Sequence, residues 1–397
     1  MSPIASGVIL LAGRVGRRYS EPVTSVGVHV DQLFLNIPGG VGTYVRELLP
    51  ALSRQDPSLE VRLFHARFGD SVREPEPWMR ALAMEELPEG IRTLYPRWNL
   101  TARPPLPAAL ASLDLVHAPS PVAVPPAARG QKLVATVHDL AFLVVPECFP
   151  RRWRMVHRMG LRAAVKRADV IITPSRNTAE DLLSRTKVDP ARVHVIPEGV
   201  STPEEHQDPE EVLRGLKLPG PYLLFVGTLE PRKNLVRLVR AYRRAATSGL
   251  PHALVLAGPL GWHHQGLLRE LALSGPGEVF LTGPLSPSQR DALYRQAAAF
   301  VYPALYEGFG LPVLEAMARG LPSICSNTSS LPEVAGDAAI GVDPRSVREI
   351  AAAIEAVLTD RALADRLSRR GLARAERFSW DEAARLTLQV YEKALSG

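Results

Sequence analysis

The stretch from Glu307 to Glu315 constrains the fold more than any other part of the chain. It reads Glu-Gly-Phe-Gly-Leu-Pro-Val-Leu-Glu and follows a short apolar run at 299–303, which is typical of a buried parallel strand. Its two glycines allow a tight turn, and Pro312 suits the first turn of a helix that we expect to end at Gly320. The pattern therefore predicts a strand, a turn and a helix N-terminus in succession.

This predicted junction indicates a kind of ligand. A helix N-terminus presents unpaired N–H groups and the positive end of the helix dipole, so it attracts anions. Glu307 and Glu315 flank the turn, and a carboxylate beside an anion site is useful if it holds sugar or ribose hydroxyls. We interpret the junction as a site for a phosphorylated ligand that is rich in hydroxyl groups. The alternative is an ordinary turn that carries two glutamates.

Length and composition point to a two-domain globular protein. The chain has 397 residues, which exceeds one typical core, and its 46% hydrophobic and 22% charged content is ordinary for a globular protein. It has no apolar run of eighteen residues, so we expect no membrane-spanning helix. Its two cysteines lie far apart, which favours a reducing cytoplasm over a disulfide framework. The net charge of +6 suits anionic partners or a solubilising surface, but no nucleic-acid motif accompanies it.

In the first half of the chain, apolar strands alternate with helices, which predicts a parallel, doubly wound sheet. Ligands bind at the carboxyl ends of such strands. A glycine-rich segment follows the first strand and precedes a helix. It lacks the third glycine of the dinucleotide fingerprint, so it does not favour a nicotinamide cofactor. The alternative to a ligand-binding role is that this glycine-rich segment only forms a tight turn. The predicted strands are 25–30, 60–65, 113–118, 133–137, 169–173 and 192–197, and the glycines are Gly39, Gly40 and Gly42.

Two further features of this half are candidates for binding. His138 directly follows the strand at 133–137, so it is either a ligand-facing histidine or a structural one at a strand end. Four basic residues recur every four positions and share one helix face. That face either is solvated or contacts anionic lipid or an anionic acceptor. The four are Arg154, Arg158, Arg162 and Lys166.

The second half begins after a polar segment, 201–208, whose content of Pro and Glu is typical of a linker. A strand at 222–226 then leads into Gly227 and Thr228 and, four residues further on, to Arg232 and Lys233. Cations at the start of a helix are locally unfavourable. Their presence is explained if a pyrophosphate binds there, and the alternative is a solvated basic helix start.

These motifs together resemble the retaining glycosyltransferases of the GT-B fold, in the large GT4 family. The resemblance covers nearly the whole chain from about Ser25. It implies an α/β protein of two Rossmann-like domains, each a doubly wound parallel sheet, that face each other across a cleft. We expect a tail at 1–22, an acceptor-binding domain at 23–203, a nucleotide-sugar-binding domain at 204–377 and a final helix, 378–397, that crosses back to the first domain.

The resemblance also implies roles for individual residues. Catalysis would involve His138, Arg232, Lys233 and Glu307. The donor would be bound by Gly39, Gly40, Gly42, Gly227, Thr228, Arg232, Lys233, Glu307, Gly308, Phe309, Gly310, Leu311 and Glu315. Within this set, Glu307 would hold the sugar hydroxyls or the attached phosphate region, Glu315 the ribose, and His138 the sugar. One departure is Thr228, which stands where many members carry arginine.

The sequence has no Asp-x-Asp motif and no His/Cys cluster with metal-ligand spacing, so we expect neither a metal nor another cofactor. Arg232, Lys233 and the helix start at 310–311 would then neutralise the leaving diphosphate. Two retaining routes are open: a covalent intermediate on Glu307, or same-face attack in which the leaving phosphate takes the acceptor proton. The resemblance favours same-face attack.

Three segments, 226–234, 138–140 and 261–262, resemble bacterial GT4 mannosyltransferases that use GDP-mannose. GDP-mannose is therefore the favoured donor, with UDP-glucose, UDP-N-acetylglucosamine and a deoxysugar nucleotide as alternatives. The acceptor would be a hydroxyl of a glycan, a lipid-linked glycan or a small molecule, and the enzyme would work in the cytoplasm, in peripheral contact with anionic membrane. A sugar-nucleotide epimerase and a non-catalytic nucleotide-sugar binding protein are the alternatives from other classes.

Overall fold

The computed structural model describes residues 25–35, 39–69, 75–201, 208–218 and 220–396. The tail expected at 1–22 and most of the predicted linker lie outside these residues. The described chain forms two lobes, each built on one parallel sheet. We call residues 25–201, together with the last helix, the first lobe and residues 208–377 the second lobe.

The first sheet has seven strands in the order β3-β2-β1-β4-β5-β6-β7, and the second has six in the order β10-β9-β8-β11-β12-β13. All pairings within them are parallel. The prediction of two doubly wound parallel sheets is therefore confirmed. The strands are β1 Ser25–His29, β2 Glu60–Arg67, β3 Ala83–Gly90, β4 Leu115–Ala118, β5 Lys132–Thr136, β6 Val170–Thr173, β7 Val193–Val195, β8 Tyr222–Val226, β9 Ala253–Ala257, β10 Val279–Gly283, β11 Ala299–Tyr302, β12 Ser323–Ser326 and β13 Ala339–Val342.

The helices cover the two faces of each sheet. They are α1 Asp31–Phe34, α2 Gly39–Gln55, α3 Ile91–Thr101, α4 Ala108–Ala111, α5 Ala141–Val144, α6 Arg151–Arg167, α7 Arg176–Arg185, α8 Pro209–Leu213, α9 Leu235–Ala246, α10 Gln265–Leu271, α11 Pro287–Gln296, α12 Leu311–Met317, α13 Leu331–Ala335, α14 Val347–Thr359, α15 Arg361–Ala375 and α16 Trp380–Ser396. Strands β8 and β9 are buried along their whole length, as expected for parallel strands covered on both faces. None of the described helices has the length and apolar character needed to cross a membrane.

Two local predictions differ from the structure. Strand β3 was not predicted, because its sequence Ala-Met-Glu-Glu-Leu-Pro-Glu-Gly is polar and contains a proline, as an edge strand tolerates. The glycine segment is not a loop before a helix, because Gly39, Gly40 and Gly42 already form the first turn of α2. Because glycine has no side chain, these residues leave the N-terminal end of α2 uncovered.

The last helix joins the two lobes. Helix α16 belongs to the first lobe's core, where Trp380 and Tyr391 are buried among residues of β1 and α2. The chain reaches this position by a close crossing, in which the main-chain N–H of Val200 donates to the oxygen of Phe378 at 3.1 Å. A Cβ on Gly199 would collide with the backbone of Trp380, so only glycine fits at the crossing.

Candidate active site

The carboxyl ends of the two sheets meet at the interface between the lobes. The main-chain oxygen of Gly308, in the turn after β11, accepts hydrogen bonds from Ser175 Oγ at 2.7 Å and Thr178 Oγ1 at 3.1 Å. Both hydroxyls follow β6 of the first lobe. A Cβ on Gly308 would collide with the main-chain oxygen of His138, which follows β5. The Gly-Phe-Gly turn therefore lies against the strand ends of the first sheet, beside His138.

A buried cluster of four charged side chains lies at the second lobe's edge. Lys233 Nζ is 2.6 Å from Glu307 Oε1, and Arg232 contacts the other oxygen of Glu307 at 2.8 Å. Arg232 also pairs with Glu230 Oε1 at 2.9 Å. The structure thus brings three predicted site residues together and adds Glu230, which was not predicted. Two cations and two carboxylates give the cluster no net formal charge.

Burial and pairing act in opposite directions on these carboxylates. Burial raises the pKa of Glu307, but the charges of Arg232 and Lys233 outweigh it, and the pKa lies below its ordinary value. For Glu230, burial dominates over the attraction of Arg232, so its pKa is raised. One oxygen of Glu230, Oε2, is buried without a hydrogen-bond partner. The four side chains of the cluster are thus 2–13% exposed, and their charges act on one another at short range.

Local backbone geometry holds the basic pair in place. Pro231–Lys233 forms one 3-10 turn, and Asn234 then adopts a left-handed conformation with φ 64° before α9 begins. The Asn234 amide donates to the main-chain oxygens of Pro303 at 3.0 Å and Pro344 at 2.6 Å. These bonds tie the turn to the segments after β11 and β13, and the first of these segments leads to Glu307, which Lys233 contacts.

Hydroxyl groups fix the Gly-Phe-Gly turn. Ser330 Oγ lies 2.9 Å from the main-chain oxygen of Glu307 and 2.7 Å from that of Phe309, so its one proton is shared between these two acceptors. Gly310 has φ 117°, and a Cβ there would press on Leu331. The turn is therefore held in one conformation before helix α12 starts at Leu311. The Leu311 side chain packs against the cores of both lobes.

Glu315 lies in a different cluster from Glu307. It accepts a hydrogen bond from Tyr294 Oη at 2.9 Å, and Arg290 lies 3.7 Å away. Burial and the charge of Glu315 raise the pKa of Tyr294 well above its ordinary value. The two glutamates thus face different partners.

His138 lies at the cleft but is already engaged within the first lobe. Its Nε2 is 2.8 Å from the main-chain oxygen of Pro119, and its Nδ1 is 3.0 Å from Glu198 Oε1. The ring edge of Tyr44, from α2, packs on it at 4.7 Å between centroids. Glu198 was not predicted, although its place three residues after the end of β7 was a signal, since ligand-facing groups gather at strand ends.

The remaining predicted glycines and Thr228 lie at the same two edges. Gly39 and Gly40 are exposed, and a Cβ on either would meet open space, whereas Gly42 is buried. Gly227 lies against the loop that follows β9. A Cβ on Gly258, in that loop, would collide with the main-chain oxygen of Gly227. Thr228 is half-buried beside that loop.

Other contacts hold the lobes together. Glu333, at the start of α13, accepts hydrogen bonds from the first main-chain N–H groups of α7, those of Arg176 at 2.9 Å and Asn177 at 2.7 Å. Tyr306 donates to Asp181 at 2.7 Å. The indoles of Trp262, in the second lobe, and Trp153, in α6 of the first lobe, also pack with centroids 4.9 Å apart.

Sequence comparisons agree with this geometry. The family description "Glycosyltransferase Family 4" matches residues 38–204, and "Glycosyl transferases group 1" matches residues 210–374. The O-antigen chain mannosyltransferase B of Escherichia coli is 31% identical over 376 residues, which cover 89% of this chain and 96% of that protein. The chain belongs to glycosyltransferase family 4.

One further relative and two solved structures extend the comparison of this glycosyltransferase. The MMP alpha-(1->4)-mannosyltransferase of Mycolicibacterium hassiacum is 30% identical over 406 residues, covering 90% of this chain and 95% of that protein. Among solved structures, a sucrose-phosphate synthase from Thermosynechococcus elongatus matches with a TM-score of 0.72 at 23% identity, covering 94% of this chain and 99% of that one. The Anabaena protein HepE, in complex with UDP-glucose, matches with a TM-score of 0.70 at 17% identity, covering 94% of this chain and 100% of that one. The fold is thus GT-B, and the enzyme is a glycosyltransferase with mannosyltransferases among its relatives.

Proposed function

We propose that this glycosyltransferase moves mannose from GDP-mannose to a hydroxyl acceptor, with retained anomeric configuration and without a metal ion. The mannose assignment is supported by the two relatives named as mannosyltransferases, which align with about nine-tenths of the chain. UDP-glucose is the second candidate donor, because the structurally similar HepE was solved with it.

The observation that carries the proposal is the buried contact of Arg232 and Lys233 with Glu307 at the interlobe edge. Departure of a nucleoside diphosphate leaves the bonding electron pair on the terminal phosphate, and this added negative charge must be stabilised. Fixed donors aimed at developing charge contribute about 3–4 kcal/mol each. In our proposal the diphosphate takes over part of the contact that the two cations now make with Glu307. The main-chain N–H groups at Gly310 and Leu311 assist.

The same contacts favour same-face attack over a covalent route. Both carboxylate oxygens of Glu307 are held by cations at 2.6 and 2.8 Å, which makes the group a weak nucleophile. Glu307 would instead accept hydroxyls of the sugar. The acceptor oxygen then attacks from the face that the phosphate leaves, and a phosphate oxygen takes its proton.

Other predicted residues would bind the rest of the donor. Glu315 would accept the ribose hydroxyls, exchanging its bond from Tyr294. Gly227 and Thr228 would border the diphosphate. The open helix start at Gly39 and Gly40 would leave room for the donor phosphates and the acceptor.

We place the acceptor, a glycan hydroxyl, on a lipid carrier at an anionic membrane surface. Helix α6 carries seven basic residues and no acidic one. Near its start, Met155 is 58% exposed, and Trp153, whose indole packs on Trp262, remains 49% exposed. Exposed aromatic and apolar groups beside cations are typical of helices that lie on anionic lipid. Sedimentation with vesicles containing phosphatidylglycerol tests this, and binding equal to that of neutral vesicles would contradict it.

The donor is tested by turnover with a panel of sugar nucleotides, preceded by thermal shift with GDP and UDP. A ligand at 100 times its Kd adds about 2.7 kcal/mol of stability. We expect GDP to stabilise more than UDP, and GDP-mannose to be consumed fastest. NMR of the product reports the anomer, and assays with EDTA report any metal requirement. Formation of an epimer without acceptor would favour an epimerase, and binding without turnover a binding protein.

A further inference from the structure

A pocket of about 590 Å³ lies between the two lobes, beside the start of helix α6. From the first lobe, it is lined by Arg151 and Arg154 of α6 and by Glu147 and Phe149 of the segment before that helix. From the second lobe, it is lined by His263. None of these residues belongs to the buried charge cluster that the proposed function assigns to the donor.

The lining of this pocket has an excess of positive charge. It carries two guanidinium groups and one carboxylate, that of Glu147. Within the part of the chain that the structure describes, none of these three groups forms an ion pair with another residue. The positive charge of the pocket is therefore available to an anionic ligand.

Arg154 has donors that the protein does not use. Its Nη1 makes one long hydrogen bond, to the main-chain oxygen of Pro146 at 3.5 Å, and its Nε is buried with no hydrogen-bond partner among the described residues. A buried donor without a partner is costly, so the site favours a ligand that accepts hydrogen bonds. The planar fork of N–H groups on arginine fits the oxygens of a phosphate.

Aromatic packing between the lobes places His263 at this pocket. Trp262, the residue before it, stacks on Trp153 and Phe149 of the first lobe, with ring centroids 4.9 and 5.6 Å apart. The indole N–H of Trp262 donates to the main-chain oxygen of Cys148 at 2.6 Å. The pocket is therefore complete only when the two lobes are in contact.

The loop that carries His263 also borders the donor site. A Cβ on Gly261 would lie 2.7 Å from the side chain of Thr228 and 3.2 Å from that of Glu230, which pairs with Arg232. Two residues of chain span at most about 7 Å, so His263 lies close to these contacts. A ligand in the pocket would therefore lie beside the donor diphosphate without occupying its site.

We propose that this pocket binds a phosphate group of the acceptor. The guanidinium groups of Arg151 and Arg154 are its main donors, and His263 closes the site from the second lobe. This inference rests on the proposed function, in which the acceptor is a glycan on a lipid carrier, and adds that a phosphate group joins the two. Because both lobes line the site, such an acceptor favours the closed cleft.

The first test measures binding without turnover. Inorganic pyrophosphate is titrated calorimetrically into protein saturated with GDP, or with the nucleotide that binds best, so that the donor site is occupied. We expect Arg151→Gln/Arg154→Gln to raise the Kd by about tenfold or more. The control Arg92→Gln/Arg129→Gln, which removes two exposed arginines of the first lobe outside the pocket, should keep it within about twofold. Equal Kd values in the two double variants, or no binding by the wild type, would overturn the proposal.

The second test compares two acceptors that carry the same sugar, one as a plain alkyl glycoside and one joined to its alkyl chain through phosphate. We expect the wild type to favour the phosphate-linked acceptor by about tenfold in kcat/KM, through a lower acceptor KM, and Arg151→Gln/Arg154→Gln to lose this preference. His263→Asn, which tolerates the left-handed backbone of φ 52° at this position, should reduce the preference less. A wild type without the preference, or a double variant that keeps it in full, would contradict the assignment.

Vesicles containing phosphatidylglycerol distinguish the acceptor's phosphate from that of a lipid headgroup. A preference that persists in their presence supports the acceptor as the source, because a headgroup in the pocket would compete with it. Sedimentation that depends on the two arginines, in an enzyme without acceptor preference, would assign the pocket to a headgroup and overturn the proposal. If no sugar nucleotide is turned over, the proposed function fails, and the pyrophosphate titration still decides whether the pocket binds phosphate.

Discussion

The two sheet edges that meet at the cleft are built differently. At the second lobe's edge, four charged side chains neutralise one another in a buried cluster, including Arg232, Lys233 and Glu307. At the first lobe's edge, one histidine–carboxylate pair lies beside an open helix start at Gly39 and Gly40. The second edge is therefore preorganised to bind a charged group, whereas the first edge leaves space for a substrate.

Lys233→Met should have the largest effect. Loss of the ammonium removes a fixed donor for the leaving diphosphate, so we expect kcat to fall by about 10²–10³-fold in a turnover assay. Breaking a buried ion pair also destabilises by about 3–5 kcal/mol, so turnover is referred to the folded fraction measured by circular dichroism. Lys132→Met, in a half-buried pair on the first sheet, is the control. Near-normal turnover in Lys233→Met would remove Lys233 from the mechanism.

Gly308→Ala tests whether the two edges must touch. The new methyl group would collide with the main-chain oxygen of His138 and push the lobes apart. A displacement of about 1 Å in an active site costs roughly 10²-fold in rate, so we expect a loss of that order in kcat/KM. Gly215→Ala, where a Cβ meets open space, should be nearly unaffected. Equal activity of the two variants would show that the contact is not needed.

Glu333→Gln weakens the contact between the lobes without entering the charge cluster. A carboxylate at a helix N-terminus contributes about 1 kcal/mol, so we expect donor KM to rise about fivefold with kcat nearly unchanged. Small-angle scattering should show a larger radius of gyration without donor. The control is Glu349→Gln, because Glu349 accepts the N–H of Asp343 within the second lobe. An unchanged KM and radius would mean that other contacts suffice to close the cleft.

A further prediction concerns the stability of the protein in acid rather than its turnover. Burial lowers the pKa of His117 from 6.5 to about 3, so below pH 6.5 the unfolded state binds a proton that the folded state excludes. The free energy of unfolding should therefore decrease as the pH is lowered through that window, by at most about 1.4 kcal/mol per pH unit. The pKa of Glu307 is lowered, so its contribution is present above about pH 4.5 and is lost only as pH falls through the lower folded value. Acid should loosen the first lobe before the second.

Urea unfolding at several pH values measures this slope. His117→Gln should flatten it between pH 6.5 and 4.5, whereas His263→Gln, at an exposed position of the second lobe, should not. An identical slope in both variants would show that His117 does not set the acid response.

Much of the architecture follows from local sequence. Alternating apolar runs and helices predicted two parallel sheets, because each run is short and β-branched or apolar, and each is followed by a helical pattern. The Glu307–Glu315 segment predicted strand, turn and helix, and the structure has β11, a turn with Gly310 at φ 117° and α12. Backbone preferences of glycine and proline act within a few residues, so a sequence reveals them.

The sequence by itself determined the fold class, the family and the strand ends at which polar residues gather. Only the tertiary structure decided their partners: Glu198 for His138, Glu307 for Lys233, and Glu333 for the start of α7. The physical reason is range. Periodicity and turn chemistry act between neighbours in the chain, whereas a hydrogen bond of 3 Å between residues 60 or 157 positions apart depends on how whole sheets and lobes pack.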